Sequence, residues 1–225
     1  MGALILRAFA GLIGLFVVMA TLLFATAWSL AWPQAWIFLS AFFGSSLLIT
    51  LYLIKADSAL LERRVNGGPA AEAQPKQRLI SACGAFGFLG LLVVPALDHR
   101  FGWSQIPQAI ALAADGVVVL GFFVVAIVFR ENSFTSATIA VGEDQTVIST
   151  GPYGLVRHPM YTGALMLTAA MPIALGSWWG LLGFVILAAS VIWRLFDEEA
   201  FLSQNLAGYA AYRRTVRRHL IPFVW

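Results

Sequence analysis

Two stretches in the second half of the chain carry the side chains best suited to chemistry. Residues 151–161 read Gly-Pro-Tyr-Gly-Leu-Val-Arg-His-Pro-Met-Tyr, and the second stretch runs from Arg194 to Glu198 and Glu199. Both lie beside apolar segments, where an uncompensated charge costs free energy and is often functional. Arginine can hold an anionic ligand group, and tyrosine rings can stack on an aromatic base. A carboxylate can bind an amine or act as a general base.

The spacing of these residues leaves two interpretations open. Arg194 and Glu198 are four residues apart, so they share one face of a continuous helix and can pair. Pro159 predicts a helix start, whose free N–H groups would suit a ligand carboxylate. The same residue types also anchor helices at membrane interfaces. A short hairpin between the two stretches would bring them to one end of the molecule, which favours a ligand site.

The composition is that of an integral membrane protein. Of the 225 residues, 60% are hydrophobic and only 11% are charged, whereas soluble domains have about 25% charged residues. The single cysteine, Cys83, excludes a disulfide framework and a cysteine zinc cluster, and we expect no metal site. The chain has no basic cluster interleaved with aromatic residues, so we expect no nucleic acid partner.

Hydropathy predicts an all-α polytopic membrane protein with about six transmembrane helices. The apolar segments are 4–28, 36–54, 79–97, 106–129, 161–175 and 178–195. The last two are marginal in length for a crossing and predict a short hairpin. A five-span arrangement with a re-entrant hairpin stays open. We divide the chain into N-terminal transmembrane helices, 1–129, and a catalytic region, 130–225.

The basic residues predict the orientation. If all six segments cross, every lysine and arginine except Arg100 falls on one side of the membrane. Positive residues favour the cytoplasm, so we expect the 130–160 loop and the C-terminus to face the cytosol. The sequence is of a bacterial type, which predicts the inner membrane.

Two further patterns concern helix packing and the C-terminal segment. Gly84, Gly87 and Gly90 recur every three residues, which is typical of close helix packing. After Asp197, apolar residues at helical spacing predict an amphipathic C-terminal helix. It carries a basic cluster, 213–218, suited to anionic membrane lipids or to the phosphate of a cofactor.

Several short motifs resemble the isoprenylcysteine carboxyl methyltransferase family over residues 130–223. They are Asn132-Ser-Phe, the segment from Gln145 to Tyr153, Arg157-His-Pro-Met-Tyr161, Arg194-x-x-x-Glu-Glu, Tyr209-x-x-Tyr212 and Leu220-Ile-Pro222. These are integral membrane methyltransferases that use S-adenosylmethionine. The first four apolar segments carry none of these motifs.

The resemblance implies roles for individual residues. The implied S-adenosylmethionine contacts are Gln145, Thr146, Val147, Ile148, Tyr153, His158, Pro159, Met160, Tyr161 and Glu198. Arg194 corresponds to the arginine on the substrate side, beside the carboxylate that accepts the methyl group. We count Arg194, Glu198 and Glu199 as catalytic candidates. Arg194 would orient an acceptor carboxylate, and Glu198 or Glu199 would be the base for an amine or phenol acceptor.

These features predict a membrane methyltransferase that acts on a lipophilic acceptor. We expect the carboxylate of a prenylated or lipid-like small molecule, which would enter between helices while the cofactor comes from the cytosol. The alternatives are a phospholipid N-methyltransferase and a membrane lipid reductase that uses NADPH. A transporter or scaffold would show internal repeats and charges paired within spans, which the sequence lacks.

Overall fold

The computed structural model describes residues 1–66, 75–135 and 145–225 of the chain. These residues form helices and no strand, which confirms the predicted all-α fold. In chain order the helices are α1 (Gly2–Ala27), α2 (Pro33–Ala56), α3 (Ser58–Val65), α4 (Pro75–Phe101), α5 (Gln108–Glu131), α6 (Pro159–Ala174), α7 (Leu181–Asn205) and α8 (Tyr209–Thr215). A short 3₁₀ turn, Gly151–Gly154, precedes α6.

Four helices, α1, α2, α4 and α5, are long and apolar enough to cross a membrane. They have 24 to 27 residues each, which corresponds to about 36 to 40 Å at 1.5 Å per residue. Their outward faces carry many exposed apolar side chains, as contact with lipid requires. Helix α6 has only 16 residues, and α7 carries acidic residues in its second half. The final hairpin is therefore apolar over a shorter length, as the sequence predicts.

Glycines let two pairs of helices approach closely. A Cβ atom on Gly87 of α4 would lie 2.6 Å from the backbone nitrogen of Leu187 on α7, closer than real side chains allow. A Cβ on Gly90 would lie 3.2 Å from the Cα of Gly183, and one on Gly121 of α5 would lie 2.8 Å from the carbonyl oxygen of Gly163. The predicted packing role of the α4 glycines is confirmed, and both arms of the α6–α7 hairpin are held against long helices.

The turn between α6 and α7 is tied to α4 by a buried carboxylate. Asp98 accepts hydrogen bonds from the Ser104 backbone N–H and hydroxyl, both at 2.6 Å, and from the Ser177 hydroxyl at 2.5 Å. The side chains of Asp98 and Ser177 are fully buried, so each needs its partner. This contact fixes the closed end of the hairpin and leaves its open end to carry the site.

At the open end, the first turn of α4 holds the second half of α7. Lys76 and Gln77 both donate to the Asp197 carboxylate, and Arg194 donates to the Gln77 side-chain oxygen at 3.2 Å. Beyond α7 the predicted continuous amphipathic helix is interrupted, because Gly208 adopts a φ of 84° and α8 begins at Tyr209. The chain turns back at this glycine and packs α8 over the hairpin.

Candidate functional site

The Arg-His-Pro segment is held by backbone bonds to the C-terminal tail. The N–H groups of Arg157 and His158 donate to the carbonyl oxygens of Arg218 and His219, each at 2.9 Å. Pro159 then begins α6, where its missing N–H costs no helix hydrogen bond. The tail therefore fixes the direction in which the side chains before α6 point.

These elements enclose a cavity of about 480 Å³, a size typical of small-molecule sites. All the predicted cofactor contacts and Arg194 line this cavity: Gln145, Thr146, Val147, Ile148, Tyr153, His158, Pro159, Met160, Tyr161, Glu198 and Arg194. The turn before α6, the start of α6 and the second half of α7 thus converge, as the hairpin argument predicts. Their roles toward a ligand stay predictions.

Aromatic side chains form the wall of the cavity that faces α8. The Tyr212 hydroxyl donates to the Tyr153 carbonyl oxygen at 2.7 Å, and the Tyr153 hydroxyl accepts from the Asn132 side chain at 3.0 Å. Burial raises the pKa of Tyr153 to about 12, so this phenol is neutral at physiological pH. The wall therefore offers fixed, uncharged ring surfaces.

Glu198 is positioned by a tyrosine on the facing helix. The Tyr161 hydroxyl donates to Glu198 at 2.5 Å, and the Tyr161 ring stacks on His158 with centroids 5.6 Å apart. Because Tyr161 and Glu198 belong to opposite arms of the hairpin, this bond closes the hairpin beside the cavity. A carboxylate held in this way can accept hydrogen bonds from a ligand amine.

Arg194 lies on the side of the cavity next to α4. Its guanidinium donates to Gln77 at 3.2 Å and lies 3.5 Å from the Ser81 hydroxyl. These contacts leave it directed along the cavity wall, one turn from Glu198 on α7. Cation and carboxylate therefore occupy neighbouring positions on the same helix face.

Glu199, also a catalytic candidate from the sequence, does not line the cavity. Its side chain is almost fully buried, and it accepts from Arg157 at 2.6 and 3.2 Å and contacts the His158 ring at 3.0 Å. Arg213 and His219 lie 3.6 Å from it. Burial alone would raise the pKa of Glu199, but the bonds to His158 and Arg157 hold it at about 2. Glu199 is a buried anion that positions Arg157 and His158.

Several cavity residues were absent from the predicted site. They are Arg64, Phe122, Val125, Asn132, Phe134, Thr135, Arg157, Ala164, Leu167, Leu202, Leu206, Tyr209 and Tyr212. Five of them, Asn132, Phe134, Arg157, Tyr209 and Tyr212, belong to motifs that carried the resemblance, so a signal for them existed. Nothing in the local sequence around Arg64 distinguishes it from its neighbour Arg63.

Arg64 reaches the cavity from α3, in the N-terminal half of the chain. Its guanidinium carbon lies 5.2 Å from the centre of the Phe129 ring. Burial lowers the pKa of Arg64, and the positive charge of Arg194 lowers it further, although the neighbouring Tyr161 opposes this effect. Arg64 and Arg194, which come from different halves of the chain, therefore both line the cavity.

The cavity fits a cofactor that has both an aromatic base and an amino acid group. The Tyr209 side chain is 4% exposed and lines the cavity, and its hydroxyl has no hydrogen-bond partner among the described residues. A buried hydroxyl without a partner costs free energy unless a ligand or water binds it. Together with Glu198 and the tyrosine wall, it supplies the groups that S-adenosylmethionine would need.

Comparison with known families gives a match in the same region. Residues 109–208 match the family model described as phospholipid methyltransferase, over less than half of the chain. This range begins in α5 and includes both stretches of the hairpin site. No curated protein matches the chain. The match supports a membrane enzyme that transfers methyl groups, and it differs in name from the isoprenylcysteine family that the motifs resemble.

Proposed function

We propose that this protein transfers a methyl group from S-adenosylmethionine to a lipophilic acceptor at the cytosolic surface of the membrane. The carrying observation is the cavity between α6, α7 and α8, in which Glu198 and Arg194 lie on one helix face. The match to phospholipid methyltransferases supports the reaction class. The distribution of basic residues supports the cytosolic orientation, and the proposed location is a bacterial inner membrane.

The chain would divide its cavity between donor and acceptor. Gln145 to Ile148, Tyr153, the residues from His158 to Tyr161, and Glu198 would hold the cofactor, which supplies a methyl group on a positively charged sulfur. Arg194 would bind the anionic group of the acceptor. The apolar side chains of Phe122, Val125 and Leu167, which line the part of the cavity between α5 and α6, would contact its hydrocarbon chain.

Alignment and exclusion of water account for most of the catalysis that these residues can supply. An ionised carboxylate acceptor needs no general base, so the residues need only hold the two reactants in line. The family match equally favours a phospholipid amine as acceptor, which must first lose a proton. Glu198 is then the candidate base, because it lies in the cavity while Glu199 is occupied by Arg157.

Calorimetric titration of the detergent-solubilised full chain with S-adenosylmethionine and, separately, with NADPH tests the proposal. We expect saturable binding of S-adenosylmethionine alone. Binding of NADPH alone would overturn the methyltransferase assignment and favour the lipid reductase.

The role of Arg194 is tested by Arg194→Ala. We expect this variant to bind S-adenosylmethionine as the unaltered protein does and to lose methyl transfer by a factor of about 10 to 150, the effect of losing a charged hydrogen bond. Arg130→Gln is the matched control, because Arg130 is exposed and does not line the cavity. Loss of cofactor binding in Arg194→Ala would assign Arg194 to the cofactor instead. A prenylated cysteine and phosphatidylethanolamine, assayed in parallel, distinguish the two acceptors.

A further inference from the structure

A second, strongly basic depression lies on the face of α8 opposite the cavity. We call it the basic groove: it has a volume of about 420 Å³ and is lined by Arg157, Ser203, Ala210, Arg213, Arg214 and Arg217. Ala210, Arg213 and Arg214 follow helical spacing and project from one side of α8, and Arg217 lies in the non-helical segment that follows α8. Tyr209 and Tyr212 project from the other side, into the cavity. Arg213, Arg214 and Arg217 therefore line the groove and not the proposed methyl-transfer cavity, whereas Arg157 lines both.

Within residues 1–66, 75–135 and 145–225, the charge in the basic groove is only partly balanced by carboxylates. The nearest carboxylate is Glu199, which is 3% exposed and lies below the groove rather than in its lining. Its oxygens are bonded to Arg157 and His158, and Arg213 lies 3.6 Å away. Among the described residues, one carboxylate, Glu199, thus contacts two of the four groove arginines, Arg157 and Arg213. The excess positive charge favours an anionic ligand.

The arginines also keep donors available in the described structure. The Arg157 guanidinium has five N–H groups. Three of them donate hydrogen bonds, two to the Glu199 carboxylate and one to the Val216 carbonyl oxygen. Arg213 donates to the Ser203 hydroxyl at 3.0 Å, which fixes its direction along the groove. Arg214 and Arg217 are exposed at the rim. Several guanidinium groups that surround one depression match the oxygen atoms of a phosphate group.

Exposed apolar side chains next to the groove identify the surface that this phosphate would come from. Phe196 is 50% exposed, Ile221 is 52% exposed, and Phe223 and Val224 are 82% and 76% exposed. Phe196 and Trp225 lie edge to face, so the α7 segment and the tail form one apolar patch. Such a patch beside a basic cluster is typical of a segment lying in the membrane interface. Arg218, which follows the groove residue Arg217 in the chain, lies over the Phe223 ring, so the patch begins next to the groove and would place it at the level of lipid headgroups.

We propose that the basic groove binds the phosphate of one anionic phospholipid from the adjacent leaflet, at a site that shares only Arg157 with the lining of the methyl-transfer cavity. The apolar patch of Phe196, Ile221 and Phe223 would contact the acyl chains of that lipid. The lipid would hold α8 against the hairpin at the same membrane depth. This inference is independent of the identity of the methyl acceptor.

The test uses the full-length protein in nanodiscs of phosphatidylcholine with 30% phosphatidylglycerol, and counts the phosphatidylglycerol molecules that stay bound by native mass spectrometry. Arg214→Gln/Arg217→Gln removes two groove arginines. Lys55→Gln/Arg130→Gln is the matched control, because it removes the same charge from exposed residues outside the groove lining. We expect one retained lipid in the unaltered protein and in the control, and at least a tenfold lower occupancy in the groove variant.

Three results would overturn the proposal. Equal loss in both double variants would mean diffuse attraction to the surface rather than a site. Equal lipid retention in both double variants would show that the groove arginines do not bind the lipid. Displacement of the lipid by millimolar inorganic phosphate, with tight binding of that phosphate, would assign the groove to a soluble phosphate ligand. Unchanged thermal unfolding of the two variants confirms that both remain folded.

Discussion

Replacement of Glu199 by glutamine tests whether the buried ion cluster positions the site. The substitution keeps the shape of the side chain and removes its charge, which leaves Arg157 buried with a neutral partner. Arg157 has a side chain only 5% exposed and contacts Glu199 at 2.6 Å. Removal of one partner from a buried ion pair typically costs about 3–5 kcal/mol.

The pKa of Glu199 gives an independent magnitude. Its pKa falls from 4.5 to about 2 in the folded protein, and each pKa unit corresponds to about 1.4 kcal/mol. The charged form is therefore stabilised by about 3 kcal/mol, in agreement with the ion-pair figure. Because the pKa of the folded state is lowered, this stability is present above pH 4.5 and is lost as the pH falls toward 2.

Thermal unfolding in detergent, followed by tryptophan fluorescence, measures this effect. We expect Glu199→Gln to unfold about 6 to 12 °C lower than the unaltered protein, since 1 kcal/mol shifts the midpoint by about 2–4 °C in a chain of this size. Acidification from pH 7 to pH 3 should cost the unaltered protein about 2 kcal/mol through this group, and the variant none. Scans are compared at one heating rate, because membrane proteins often unfold irreversibly.

Glu198→Gln is the matched control for this experiment. Glu198 precedes Glu199 in the chain, lines the cavity and accepts only the Tyr161 hydroxyl bond among the contacts described above. We expect its midpoint to stay within about 2 °C of the unaltered protein while S-adenosylmethionine binds more weakly. If Glu199→Gln unfolds at the unaltered midpoint, or if both variants lose stability equally, the separation of their roles is wrong.

Two further substitutions test the cavity and the scaffold separately. Tyr209→Phe removes the hydroxyl that has no partner in the described structure, so we expect unchanged thermal stability and about a two- to tenfold weaker S-adenosylmethionine affinity by calorimetry; unchanged affinity would mean that this hydroxyl does not face the cofactor. Gly87→Ala places a Cβ atom 2.6 Å from the Leu187 backbone, so we expect a loss of about 1–3 kcal/mol in stability. Gly14→Ala, whose added Cβ would meet no atom within 4 Å, should cause no such loss, and equal unfolding of the two variants would refute the close approach of α4 and α7.

The sequence predicts the position of Glu198 but not the contacts of its neighbour Glu199. Helical geometry alone separates Glu198 from Glu199 by about 100°, so the prediction that Glu198 shares the face of Arg194 needed no tertiary structure. The partner of Glu199 could not be found in this way. Arg157 is 42 residues away in the chain, and it meets Glu199 only because the tail pairs with the Arg-His backbone.

The end of α7 shows the same limit. The apolar periodicity from Leu202 onward predicts burial of Leu206, Tyr209 and Val216, and these residues do form a buried cluster. The periodicity does not reveal that Gly208 interrupts the helix, because the positive φ of a glycine leaves no pattern in hydropathy. This interruption turns α8 back, so that one face reaches the cavity and the other forms the basic groove.

The N-terminal helices also contribute directly to the site, although the family match begins only at residue 109. Arg64 of α3 lines the cavity, and Gln77 of α4 bonds to both Arg194 and Asp197. The hydropathy pattern predicts only that these helices face lipid. It does not reveal their part in the site, because each contributes a single polar side chain near a helix end. Residues 130–225, which the sequence predicts to be the catalytic region, therefore do not form the whole cavity, because part of its lining comes from the N-terminal helices. At the open end of α7, Arg194 and Asp197 are held by α4 from the other half of the chain, whereas Glu198 and Glu199 are held by Tyr161 and Arg157. Contacts from both halves therefore allow the protein to keep an arginine and three carboxylates next to lipid.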